Sequence, residues 1–326
     1  MIIKKTIKTI NFSRLEKKPS MFFLKEWSII SVSGIDATPY LQNQLTIDII
    51  SLPKNTMQFC ALCNVSGKVL TSLVIFKCKK KYYLFFRSSV KIIVIDELKK
   101  YAVFSKVLII DEIKLHLIGI RGKNSNNLLE TYFKQKFNHK NHTYVLNKFI
   151  IVNMSFFKLR YLIIVSNYSH LKLLKNNFLI NKFKILNNEK WLSIDIKLGY
   201  PIIEIENTSK FLPQALNMCA LNGINYNKGC YKGQEIISIT RFKKKNKRVL
   251  SWMISKEIIK DIKIGNILEV KKNEMWYTAG VILTYVYIKN QFTWIQAVLN
   301  NNYCQSMSFR LKINKSYILS INKIFL

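Results

Sequence analysis

The chain has 326 residues, 49% of them hydrophobic, enough apolar material for two or three domains with cores of their own. Its 52 basic and 18 acidic residues leave a formal charge of +34, and no stretch of membrane-spanning length is free of charge. The basic start, Met1 to Asn11, lacks the apolar run and cleavage site of a secretory signal, so the expectation is a soluble cytoplasmic protein. Only 7 of the 52 basic residues are Arg, which leaves 45 Lys. Lys, Ile, Asn, Phe and Tyr are abundant together, as drift toward A/T-rich codons would make them. A surface selected to grip phosphate or guanine favours the planar fork of arginine. Most of the charge therefore reads as drift, although a basic face still steers polyanions toward itself.

Residues 1–20 read as a polar, basic lead-in. Trp27 to Val32 reads as a strand ending at Ser33-Gly34, and Asp36 is placed to cap a helix reaching about Leu45. Met57 to Phe76 reads as a hairpin about the turn-forming Asn64-Val-Ser-Gly-Lys68. A strand at Tyr82 to Arg87 follows, then a helix from Ser89 to about Lys100 with Ile92, Ile95 and Leu98 as its apolar stripe. Next come strands at Lys106–Ile110 and Lys114–Ile120, a helix near Asn124–Lys136, strands at Tyr144–Asn153 and Leu159–Val165, and a short helix after Ser169. His139 and His142 have no Asp, Glu or Cys nearby at ligand spacing and read as solvated. Trp191 to Leu198 reads as a helix with Trp191, Ile194 and Leu198 on one face, stopped by Gly199 with Pro201 just beyond. The basic run Arg241 to Arg248 makes a candidate boundary. Past it the texture changes to short β runs at Val249–Ile254, Ile267–Val270, Trp276–Tyr287, Phe292–Leu299 and Phe309–Ile313, a spacing that suits a small barrel or sandwich.

Six cysteines in such a chain do not suggest a disulfide framework. Cys60 and Cys63 have the spacing of a metal or redox pair, but they fall in a strand, where residues three apart face opposite ways, so the pair reads as structural and no metal site is expected. The densest chemistry is Asn227-Lys-Gly-Cys-Tyr-Lys-Gly-Gln-Glu235. Gly229 and Gly233 permit a tight turn or a close backbone approach. Cys230 lies between Lys228 and Lys232, with Arg241 shortly after, and cationic neighbours favour the reactive thiolate. The apolar run at Ile236, Ile237 and Ile239 leaves helix and strand both open.

The run Lys228-Gly-Cys-Tyr-Lys-Gly-Gln-Glu235 resembles the signature of the YgfZ-type folate-binding proteins, relatives of the glycine-cleavage T-protein. Leu98-Lys-Lys-Tyr-Ala-Val-Phe-Ser-Lys-Val107 and the Trp-bearing first strand with Gly34-Ile-Asp36 and Gln44-Leu-Thr-Ile-Asp48 carry the same likeness. The resemblance implies an α+β fold of two interleaved lobes around a central channel (residues 21–245), then a C-terminal β-barrel (246–326). It implies a folate cofactor, with Trp27 and Trp191 at the positions that meet the ligand. Indole offers a flat face for a pterin. One of Asp195, Glu204 and Glu206 is a candidate to accept the pterin N–H groups, and Lys228, Lys232 or Arg241 to meet the glutamate tail. The T-protein carries an Asp pair on the hairpin where this chain has Thr71 and Ser72. A hydroxyl cannot replace a carboxylate as proton acceptor. The resemblance thus implies an accessory protein supporting tRNA modification through maintenance of iron–sulfur enzymes of the methylthiotransferase type, with Cys230 as its functional thiol. One thiol cannot hold a cluster, so a partner enzyme is implied. The alternatives are a folate-dependent aminomethyl- or methyltransferase and a charge-driven tRNA-binding protein.

Overall fold

A computed structural model describes residues 19–137, 142–155, 159–289 and 291–325. His139 and nearly all of the lead-in lie outside the described residues. In chain order the elements are β1 (Ser20–Phe23), β2 (Trp27–Ser33), α1 (Ala37–Gln44), β3 (Met57–Cys63), β4 (Val69–Cys78), β5 (Lys81–Arg87), α2 (Lys91–Ala102), β6 (Leu108–Asp111) and β7 (His116–Arg121). They continue with α3 (Ser125–Phe133), β8 (Thr143–Leu146), β9 (Phe149–Asn153), β10 (Arg160–Val165), α4 (Tyr168–Ile180), β11 (Lys184–Leu186), α5 (Asn188–Leu198) and α6 (Gln234–Phe242). Last come β12 (Arg248–Ser255), β13 (Ile267–Lys272), β14 (Met275–Ile288), β15 (Phe292–Asn300), β16 (Phe309–Leu311) and β17 (Ile318–Phe325).

The architecture is α+β. One sheet runs β3-β4-β5-β2-β6 and the other β11-β1-β7-β10-β9-β8. The lobes interleave because β1 joins the second sheet while β2, only a few residues later, joins the first. One face of the first sheet is covered by α1 and α2, through Leu41, Val94 and Leu98. The second packs on α3 and α4 through Leu129, Leu174 and Phe178. The opposite faces of both sheets share a third core with α5, into which Leu250 and Trp252 of β12 also reach. Strands β12 to β17 close into a barrel in the order β12-β15-β14-β13-β16-β17, and closure leaves this unit no unpaired edge. Among the described residues no helix is long and apolar enough to cross a membrane.

Several local expectations change. The buried stripe of α2 is Val94 and Leu98, preceded by Val90 on a 3₁₀ turn, and Ile92 is 73% exposed. The 3₁₀ turn rotates the helix relative to a stripe counted from Ser89. Asp36 does begin α1, but its carboxylate accepts from the Lys106 amide at 2.7 Å rather than from a helix N–H. The expected strand Tyr144–Asn153 is a hairpin turned at Asn147, which takes positive φ. The helix after Ser169 is not short but spans 13 residues. His142 is half-buried, and its Nδ1 accepts from the Met57 amide at 3.3 Å, so it is a packing residue rather than a solvated one. Burial holds its pKa below the usual imidazole range.

Candidate functional site

Trp27 opens β2, and its indole stacks on Phe85 of β5 with centroids 4.6 Å apart. Tyr200 lies tilted at 6.3 Å and the Arg87 guanidinium at 5.3 Å. Arg87 Nε donates to Glu204 at 2.7 Å and Nη2 to Glu26 at 2.9 Å, while the Ser89 hydroxyl donates to the second Glu204 oxygen. Of the three acids near Trp191 in sequence, Glu204 is therefore engaged within the fold and Glu206 is exposed. Trp27 borders a cavity of about 510 Å³ that Leu24, Leu115, His116 and Tyr168 also line.

Trp191 is fully buried on α5 and belongs to the same core as Trp27. The Arg160 guanidinium lies 3.6 Å from its ring centroid, and Phe22 meets it edge-on at 5.4 Å. Gly119 of β7 completes the enclosure, since a Cβ there would overlap the indole. Arg160 Nη1 donates to Asp195 Oδ1 at 2.6 Å, with both side chains buried. Arg160 Nε and Nη2, Asp195 Oδ2 and Trp191 Nε1 are buried without a hydrogen-bond partner among the described residues. Burial pushes the Asp195 carboxyl above its ordinary range, and Arg160 opposes that rise. Asp195 is thus the one of the three candidate acids with a buried, unmatched carboxylate oxygen. Thr71 and Ser72 are buried too, and their hydroxyls donate to the carbonyls of Ser72 at 3.0 Å and Pro201 at 2.5 Å.

The cysteine-bearing turn is built differently. Lys228 is buried, and its ammonium donates to the carbonyls of Gln42, Leu45 at 2.8 Å and Ile47 at 2.6 Å. Gln42 and Leu45 lie at the end of α1 and Ile47 just beyond it, so the lysine satisfies carbonyls that a helix terminus leaves unpaired and one more in the chain that follows. Burial pushes its pKa down to about 8. The Lys232 amide donates to the Asn43 carbonyl at 3.0 Å and its ammonium to Glu97 at 2.8 Å, above the Tyr101 ring. Gly233, at φ +81°, lies against the β3–β4 turn, where a Cβ would come within 2.6 Å of Gly67 Cα and 2.7 Å of the Asn64 carbonyl oxygen. Gly229 has open space where a Cβ would go, so only the second glycine of the pair is demanded by packing. The apolar run after Gln234 is helical, as α6.

Cys230 stands exposed in this turn, whereas both indoles are buried. Cys60 and Cys63 are fully buried and belong to different cores, which agrees with the structural reading of the pair. Lys228 and Lys232 are turned inward to partners of their own. Arg241 is exposed and stacks on Tyr226, 4.0 Å from the ring centroid. Arg87 and Arg160, which sheathe the two tryptophans, were not singled out from the sequence. The available signal was an arginine amid apolar strand residues in a chain whose basic residues are otherwise nearly all lysine.

Two family models match. Residues 246–314 match the β-barrel domain of YgfZ, and residues 11–160 match the GCVT N-terminal domain. The chain is 38% identical to the tRNA-modifying protein YgfZ of Buchnera aphidicola subsp. Schizaphis graminum, over 99% of this chain and 100% of that one. It is 31% identical to the tRNA-modifying protein YgfZ of Pectobacterium atrosepticum, over 96% and 93% of the two chains. Among solved structures it resembles the glycine cleavage system aminomethyltransferase T from Bartonella henselae, with a TM-score of 0.78 at 14% identity, covering 95% of this chain and 86% of that one.

Proposed function

Because the chain belongs to the YgfZ family, we propose that it is a folate-binding accessory protein of the cytoplasm that supports tRNA modification by maintaining an iron–sulfur enzyme of the methylthiotransferase type. The tRNA role is supported by relatives of that name aligned along nearly the whole chain. The folate role rests on one observation, the buried polar atoms left unmatched beside Trp191. Buried donors and acceptors are nearly always paired, so such a group calls for an occupant. A pterin suits it: the ring presents N–H donors to Asp195 Oδ2 and nitrogen acceptors to the free Arg160 N–H groups, and its faces suit Trp27 and Trp191. Reduced folate, when bound, supplies a carrier for one-carbon units.

The residues of this chain bind and orient. Arg160 holds one Asp195 oxygen and leaves the other available as acceptor. Arg87 is fixed by Glu204 and Glu26 and keeps a positive charge near the Trp27 face. Because Trp191 is enclosed, its contact with a ring requires Phe22 or Arg160 to yield on loading. The hydroxyls of Thr71 and Ser72 offer no carboxylate base, which argues against aminomethyl transfer. Cys230 is the group available to a partner enzyme.

Two measurements test this reading. Tetrahydrofolate titrated into the protein should quench indole emission saturably, with Trp27→Phe removing much of the signal and Asp195→Asn weakening affinity about 10-fold or more. Unchanged titrations in both variants would exclude this site. In a strain lacking its own homologue, the protein should restore methylthiolated tRNA and Cys230→Ser should not. Full restoration by Cys230→Ser would remove the thiol from the mechanism.

A further inference from the structure

The last turn of α6 carries features that neither the proposed folate site nor the thiol turn uses. The Arg241 guanidinium sits over the Tyr226 ring, whose hydroxyl is 3.3 Å from the Cys219 sulfur. The pair divides two clefts and contributes to both. One, of about 620 Å³, is lined by Lys244, Asn246 and Asn301 among others, and none of the described residues lining it is acidic. The other, of about 390 Å³, is lined by Asn222, Asn225, Asn227 and the carboxylate of Asp48. Both volumes fall within the range of small-ligand sites, about 300–1,000 Å³. Phe242 follows Arg241 and is 79% exposed, which burial in the fold does not explain. Lys243, Lys244, Lys245, Lys247 and Arg248 follow, all exposed.

We propose that the Tyr226–Arg241 stack and its two clefts form a binding site for single-stranded RNA. An exposed guanidinium held over a tyrosine ring offers a planar group of the kind on which unpaired bases stack. The exposed Phe242 offers a second face one residue on. The acid-free cleft with Lys244 takes a backbone phosphate. The opposite cleft repels phosphate through Asp48 and takes a base edge, whose N–H groups meet that carboxylate and the asparagine amides. An acidic protein would satisfy the lysines but leave the planar faces and the amide-lined cleft unused. Here two of the chain's seven arginines, Arg241 and Arg248, fall within eight residues, so this is the part of the charge that lysine drift explains least. The site's biological sense rests on the tRNA reading above, while its existence does not.

The test is fluorescence anisotropy of a 5′-labelled, unstructured RNA decamer against the full-length protein across a salt series. Phe242→Ala and Arg241→Ala should each weaken binding about 10-fold, in line with stacking losses. Lys244→Ala should weaken it and flatten the dependence on salt. Lys260→Ala, an exposed barrel lysine, should change neither. These side chains are exposed, and unaltered thermal unfolding confirms that each variant is folded. Binding that ignores Arg241 and Phe242, or that falls equally with Lys260→Ala, would overturn the site and leave only diffuse charge. Displacement of the decamer by inorganic polyphosphate as effectively as by unlabelled RNA would overturn it too. If the RNA variants behave as expected while the wild-type chain fails to restore methylthiolated tRNA, the functional reading falls and this site stands.

Discussion

Around Trp191, buried polar atoms lack partners; around Cys230, buried ammonium groups are tied down by several, and the thiol faces solvent. The first arrangement is costly unless something polar occupies it, because desolvation is not repaid by hydrogen bonds. The second is a rigid mount. Three motif residues, Lys228, Lys232 and Gly233, serve to hold Cys230 in place. Local composition therefore misassigned the roles: the cationic neighbours of Cys230 in the chain face inward, toward α1 and α2.

The largest effect is expected at the unmatched core. Asp195→Ala leaves the Arg160 charge buried without its counter-ion, and denaturant unfolding should show a loss of about 3–5 kcal/mol. Pairing it with Arg160→Met should recover most of that loss. A cost below about 1 kcal/mol would mean that water already reaches the pair. At the mount, Gly233→Ala forces a Cβ into Gly67 and a positive φ, and should cost about 2–3 kcal/mol. Gly229→Ala, in open space, should stay within about 0.5 kcal/mol of wild type. Equal losses at the two glycines would remove the packing account.

The smallest effect concerns pH. Lys228 loses its proton near 8 in the folded protein and near 10.5 when unfolded. Between those values the unfolded chain holds the extra proton, so raising the pH through this window favours the folded state. The stability difference between wild type and Lys228→Met should therefore shift in favour of wild type from about pH 8 to about 10. A flat difference would show that the three carbonyls keep the ammonium charged throughout.

Much of the fold was legible because neighbouring residues set it. The strand at Trp27–Val32, the turn at Asn64–Lys68 and the Gly199 stop, at φ +73°, all appear where the chain pattern puts them. Strand β17 was not legible. Its apolar residues Ile318, Leu319, Ile321, Ile324 and Phe325 do not alternate cleanly, because the pairing with β12 slips at Asn322. His142 was misread because its partner, Met57, lies 85 residues away. The candidate site divided in the same way. The motif positions could be named from the chain, but the Arg160–Asp195 pair and the Tyr226–Arg241 stack are tertiary contacts without a local pattern.

The three carbonyls that receive the Lys228 ammonium lie 186, 183 and 181 residues earlier in the chain. Contacts of such separation form late, after the intervening segments have already collapsed. On the ribosome, the end of α1 and the segment just after it would wait for their lysine until more than two thirds of the 326-residue polypeptide had been made. The thiol can thus reach its finished setting only in a chain whose first half has already folded, and a truncated product would display Cys230 on a loose tether or lack it altogether.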